Sequence, residues 1–156
     1  MKKQFLDLKV QESLITANDG QDVVEYFERY LSDIVIASDQ PTVWLNHQPV
    51  ALLLLDINMP ILNGFETLKR VKEMFKLHNT RLNEERSRSI GDEEPLRMIN
   101  TEEHTHILRP LIIFVSQLDR NQFTHFFVDD EKPDFYLEKP LVSKDLKSLL
   151  RLIKIL

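Results

Sequence analysis

The sequence predicts an α/β domain built on a doubly wound parallel sheet in three layers, and three observations carry that expectation. Two apolar runs are unbroken rather than alternating: Val50-Ala51-Leu52-Leu53-Leu54-Leu55, which stops at Asp56, and Leu111-Ile112-Ile113-Phe114-Val115, which stops at Ser116. Strands buried on both faces read this way, as in a parallel sheet covered by helices. Helical periodicity falls between and after these runs, and such alternation implies right-handed βαβ crossovers. The length is 156 residues, one domain's worth, with 42% hydrophobic and 29% charged residues, the mix of an ordinary globular domain.

The elements follow in order. Leu14-Ile15-Thr16-Ala17, before Asn18-Asp19-Gly20, is a short strand candidate. Val23, Val24, Phe27, Tyr30, Leu31 and Ile34 recur at spacings of three and four, which predicts a helix. Residues 35–49 are polar, with Pro41 and Pro49, and read as a loop insertion. Val50–Leu55 reads as a central strand covered on both faces. Asn63 with Glu66 is a capping-box pattern ahead of Phe65, Leu68, Val71, Met74 and Phe75, a second helix. Residues 78–109 hold Gly91, Pro95, seven acidic and five basic residues and little periodicity, so they read as a second, solvated loop insertion that the fold can do without. Asp119 with Gln122 is a further capping pattern, ahead of a short helix. Phe135-Tyr136-Leu137 is the last strand candidate, before Glu138-Lys139-Pro140. Val142, Leu146, Leu149, Leu150, Ile153 and Leu156 mark the last helix. The whole of 1–156 reads as a single domain.

Composition narrows the chemistry. Without a cysteine there are no disulfides, no thiolate zinc sites and no cysteine nucleophile, which fits a reducing, cytoplasmic setting. Gly20, Gly64 and Gly91 are too far apart for a GxGxxG or Walker A loop. A net charge of −5 without a basic run makes nucleic acid a poor partner. The longest apolar run is six residues, far short of a membrane span, and no apolar segment follows the basic start Met1-Lys2-Lys3 as a signal peptide would require. His104 and His106 sit two apart in a polar stretch with no evident third metal ligand.

Ligands of a doubly wound sheet sit beyond the C-terminal ends of its strands. Three polar residues occupy such ends here: Asp56, Ser116 and Lys139. A carboxylate, a hydroxyl and an ammonium at one crevice suit phosphate handling. The carboxylate can attack phosphorus and become an acyl phosphate. The ammonium and hydroxyl can pair with phosphoryl oxygens. The negative charge gathered there calls for a divalent metal, and Mg2+ is the natural choice.

The segment Leu52-Leu53-Leu54-Leu55-Asp56-Ile57-Asn58-Met59-Pro60-Ile61-Leu62-Asn63-Gly64 resembles the phosphoacceptor region of response-regulator receiver domains of two-component phosphorelays. Ser116 resembles the family's switch hydroxyl, Lys139-Pro140 its lysine and cis-type step, Tyr136 its aromatic switch, and Ala17-Asn18-Asp19-Gly20 the turn after its second strand. The resemblance covers about residues 5–155 apart from the two insertions. It implies a flavodoxin-like fold. It implies Asp56 as phosphoacceptor for a histidine kinase or phosphotransfer protein, with Ser116 and Lys139 gripping the phosphoryl oxygens. It further implies Mg2+ held by Asp56 and the Asn58 backbone carbonyl, and Tyr136 moving with Ser116 on phosphorylation. Output would pass through the face of the fourth helix, last strand and last helix.

Three departures from the family pattern stand in the sequence. The family's first strand ends in an acidic pair that holds the metal. The sixteen residues before Ala17 resemble only the tail of the first helix and the second strand, so the first strand and its acidic pair are expected to be missing, as in a truncated receiver or a piece of a hybrid histidine kinase. Asp129-Asp130 precede the last strand and so belong to the opposite end of the sheet. Gln117 stands where a small residue usually follows the hydroxyl and would narrow access to Asp56, and the 78–109 insertion enters away from the site. Magnesium binding is therefore expected to be weak. One rival is a pseudo-receiver, a protein-binding module that is not phosphorylated. Another is an aspartate-nucleophile phosphatase of the haloacid-dehalogenase type, which needs a second aspartate where this chain has Asn58.

Overall fold

The computed structural model describes residues 14–38, 50–89, 109–117 and 132–152. The expectations for the Asp119–Gln122 cap, the His104 and His106 pair, Asp129-Asp130, and residues 39–49 and 90–108 of the two insertions lie outside the described residues. Within them the chain runs α1 (Gly20–Ser38), β1 (Leu52–Asp56), α2 (Gly64–Ser89), β2 (Leu111–Ser116), β3 (Phe135–Glu138) and α3 (Ser143–Leu152). The strands form one parallel sheet in the order β1-β2-β3. The class is α/β, consistent with the flavodoxin-like expectation.

The first two helices start where the sequence offers a cap. The Asp19 carboxylate accepts hydrogen bonds from the N–H groups of Gln21 and Asp22, at 2.8 and 3.0 Å, and so caps α1. Asn63 and Glu66 form the reciprocal box at the start of α2: the Glu66 N–H donates to Asn63 Oδ1 at 3.0 Å and the Asn63 N–H to Glu66 Oε2 at 3.4 Å. Gly20 is needed because a Cβ there would lie 2.0 Å from Thr67 Oγ1 and 2.4 Å from the Leu62 carbonyl oxygen. The start of α1 therefore packs directly on the loop that leaves β1.

The period of two in the strands sorts side chains onto two faces. Leu53, Leu55, Ile112, Phe114 and Tyr136 share a cluster with Val23, Phe27 and Leu31 of α1 and Leu68, Val71 and Phe75 of α2. Edge-to-face rings lock it, with Phe27 on Phe75 at 5.5 Å and Phe65 on Phe114 at 5.3 Å between centroids. On the other face Leu52, Leu54, Val115 and Leu137 meet Leu14, Leu141 and, from α3, Leu146 and Leu150. The sheet is thus covered on both sides, as the unbroken apolar runs imply.

Four expectations change. Val50–Leu55 does not supply the middle strand of the described sheet. That place belongs to β2, whose Ile112, Ile113, Phe114 and Val115 have no solvent exposure, while Leu52, Leu53 and Leu54 of β1 are only half-buried. Residues 14–17 form no strand: Ile15 is 60% exposed, Thr16 and Ala17 are exposed, and only Leu14 packs inward, so the short run has no ladder to join among the described residues. The helix begun at Gly20 includes residues 35–38. The second helix, α2, continues to Ser89, so the first twelve residues of the supposed 78–109 loop are helical. Residues 78–89 contain neither glycine nor proline and are rich in arginine and glutamate, which propagate a helix already nucleated upstream even without an apolar stripe.

At the end of the sheet opposite Asp56, Arg109 and Asp134 clamp the strand starts. The guanidinium donates to both carboxylate oxygens, at 2.6 and 2.7 Å, and the Ile112 N–H donates to Asp134 Oδ2 at 2.7 Å. Burial works against the Asp134 charge, but these hydrogen bonds and the Arg109 and Lys72 charges outweigh it and hold the carboxyl below its ordinary value.

Candidate functional site

Register decides what meets at the C-terminal edge. Asp56 ends β1 and lies opposite Val115 of β2. Ser116, one residue on, ends β2 opposite Glu138 of β3. Lys139 follows Glu138, and its backbone N–H donates to the Ser116 carbonyl at 2.7 Å, extending the ladder by one bond. The Lys139-Pro140 peptide is cis.

The ends of β1 and β3 are two strand spacings apart, about 10 Å. The lysine side chain crosses this gap over the end of β2, and its ammonium is ion-paired with Asp56 Oδ2. Both side chains keep about a third of their exposure, at 29% for Lys139 and 32% for Asp56, so the pair is partly withdrawn from water yet reachable. The other carboxylate oxygen, Oδ1, accepts the Asn58 N–H at 3.2 Å. Ser116, on the strand between, is buried. Tyr136 lies opposite Phe114 and packs, half-buried, in the cluster with α1 and α2. Gln117 is exposed just past β2.

The loop after Asp56 is held tightly. The Gly64 N–H donates to the Ile57 carbonyl at 2.9 Å, and a Cβ on Gly64 would lie 2.5 Å from the Asp56 carbonyl oxygen and 2.8 Å from Ile57 Cα. Backbone, not a flexible side chain, fills that space, so only glycine lets α2 begin against the strand end. Ile61 is a feature the sequence did not announce. It sits at φ 63°, in a three-residue turn closed by the Leu62 N–H donating to the Pro60 carbonyl at 2.7 Å, with 81% of its surface exposed. A β-branched residue is among the least suited to that conformation, so residue type offers no signal for it.

The described donors around Asp56 do not make a set for a divalent ion. Magnesium asks for several oxygen ligands in near-octahedral array. Both Asp56 oxygens are already engaged, and no group of three or more histidine, aspartate or glutamate side chains stands together among the described residues. What the geometry offers is one carboxylate, one ammonium and one buried hydroxyl at three neighbouring strand ends, which suits a small anionic group. Among the described residues no helix is long and apolar enough to cross a membrane.

No family model matches the chain. Over 74 residues, 44% of its length, it is 31% identical to the response regulator GtcR of Aneurinibacillus migulanus. The aligned stretch covers 31% of that relative. This likeness supports a receiver-like type of domain.

Proposed function

We infer that this chain is a receiver domain in which Asp56 accepts a phosphoryl group from a phosphohistidine on a histidine kinase or phosphotransfer protein. The observation that carries the reading is the Asp56–Lys139 ion pair at the C-terminal edge of a parallel sheet, with Ser116 on the strand between. An oxygen of the Asp56 carboxylate attacks phosphorus. The bond from phosphorus to the histidine nitrogen breaks, the imidazole keeps the electron pair and takes a proton, and Asp56 becomes an acyl phosphate. Lys139 then transfers its pairing from the carboxylate to a phosphoryl oxygen, and the Ser116 hydroxyl donates to another. Tyr136 moves with Ser116, so β3 and α3 form the part of the surface that changes. The role is signalling rather than turnover of a substrate.

The test is incubation with acetyl phosphate, with and without millimolar magnesium, read by intact mass. A slow single phosphoryl adduct that is absent in Asp56→Asn is the expected result. The engaged oxygens of Asp56 favour one second reading, a pseudo-receiver that binds a protein partner without being phosphorylated. Absence of the adduct at every magnesium concentration would establish that reading in place of the first.

A further inference from the structure

We propose that Gly20 is a positioning residue: by seating the start of α1 on Leu62 and Thr67 it imposes the left-handed turn at Ile61 and so sets the course of the loop between Asp56 and α2. What that loop serves rests on the functional reading above, whereas the coupling of α1 to the turn stands on packing alone.

The glycine at position 20 is there for space and not for backbone freedom. No described glycine has a positive φ, and alanine would ordinarily favour a helix more than glycine does. Its neighbours are what exclude a side chain. A Cβ would lie 2.0 Å from Thr67 Oγ1, 2.4 Å from the Leu62 carbonyl oxygen and 3.1 Å from the Leu62 carbonyl carbon. Neither neighbour yields cheaply. Thr67 has no solvent exposure, and its hydroxyl donates to the Asn63 carbonyl at 2.8 Å. Leu62 is anchored by its own buried side chain. The α1 side is equally firm. Asp19 is buried under its two capping hydrogen bonds, and Asn18 donates from its backbone N–H and its side-chain amide to Asp22 Oδ2, at 3.0 and 2.9 Å.

The loop is thus pinned at both ends. The Gly64 N–H holds the Ile57 carbonyl, and α1 presses on Leu62. The ring of Pro60 fixes its own φ. The remaining reversal falls on Ile61, at φ 63°. Nothing in Ile61 itself favours that form, since its branched Cβ opposes it and its side chain is exposed. A strained conformation persists only where the surroundings over-determine it, and the contact with α1 does so here. Withdrawal of α1 frees the Leu62 carbonyl, lets Ile61 relax to a negative φ and moves residues 57–60. Among these is Asn58, whose N–H meets Asp56 Oδ1. A change at Asp56 reaches the start of α1 by the same contacts, a route to the surface separate from β3 and α3.

A double-mutant cycle on the full chain tests the coupling. Ile61→Gly should raise the melting temperature by about 1–4 °C in the wild type. In Gly20→Ala the added Cβ drives α1 off Leu62, the turn is already relaxed, and the same substitution should give less than half that gain. Thr67→Ala loosens the same seat without a clash, so the gain should shrink there as well, and this variant replaces Gly20→Ala if the latter fails to fold. The one-bond Cα–Hα coupling at residue 61 differs between positive and negative φ. It should move to the negative-φ value in whichever of the two variants is folded, whereas a merely structural loss of stability would leave it unchanged. An undiminished gain from Ile61→Gly in both backgrounds would overturn the proposal, as would a positive φ that persists at residue 61. Failure of acetyl phosphate to modify Asp56 would sink the functional reading and leave the coupling of α1 to Ile61 standing.

Discussion

At Ile61 the backbone takes a form that its side chain opposes. The left-handed region costs an L residue about 1–2 kcal/mol, and branching at Cβ adds crowding. With 81% of the side chain in water, little burial returns that cost. Ile61→Gly should therefore raise stability by about 0.5–1 kcal/mol, the relief of strain being partly offset by the greater chain entropy of glycine. Thermal melting checks this, and a fall in melting temperature would mean that the isoleucine makes contacts its exposure does not suggest. Gly64 is the opposite case, a residue whose missing Cβ lets α2 start against Asp56. The two positions are three apart in one loop, yet only the glycine announces itself in the sequence. A glycine flags a close approach because other residues are excluded there, whereas a strained isoleucine looks like any other.

Among the elements, the starts of β2 and β3 depend on one clamp. Arg109 meets Asp134 through two hydrogen bonds, and Asp134 also receives the Ile112 N–H. Both side chains are partly exposed, so the pair is worth less than a buried one, and Asp134→Asn should cost about 1–2 kcal/mol at neutral pH. Its pH dependence has a definite sign. The folded Asp134 carboxyl lies below its ordinary value of 3.8, so its contribution is whole above that value and is lost as pH falls through the depressed folded value. Urea midpoints of wild type and Asp134→Asn should thus differ near neutrality and converge in acid once pH falls below the depressed folded value. A gap that persists there would assign the stability to packing instead. The helix α2 shows a different limit of local reading. Its capping box and apolar stripe are plain over residues 63–75, but residues 78–89 are polar apart from Leu82 and read as loop. Helix propagation needs no stripe once a packed first half supplies the nucleus.

For the molecule as a whole, β2 is the keystone, since each face of the sheet has its own cluster and β2 contributes to both. Phe114 is fully buried, stacked edge-on by Phe65 and flanked by both helices of its face. Phe114→Ala should cost about 3–5 kcal/mol, a large share of the roughly 5–15 kcal/mol that holds a domain together. Denaturant unfolding should show a matching drop in midpoint, and a loss under about 1 kcal/mol would place the cohesion elsewhere. The α/β class, the apolar runs 50–55, 111–115 and 135–137 from which the three strands are built, and the candidates Asp56, Ser116 and Lys139 are read from the sequence alone. Unbroken apolar runs and the polar residues that end them are local signals, legible without knowing what lies alongside. Three matters were settled only by the tertiary structure: that β2 rather than β1 takes the middle of the described sheet, that residues 14–17 find no ladder among the described residues, and that Lys139 reaches across Ser116 to pair with Asp56. Each depends on which strands become neighbours and in what register, and residues far apart in the chain carry no local mark of that.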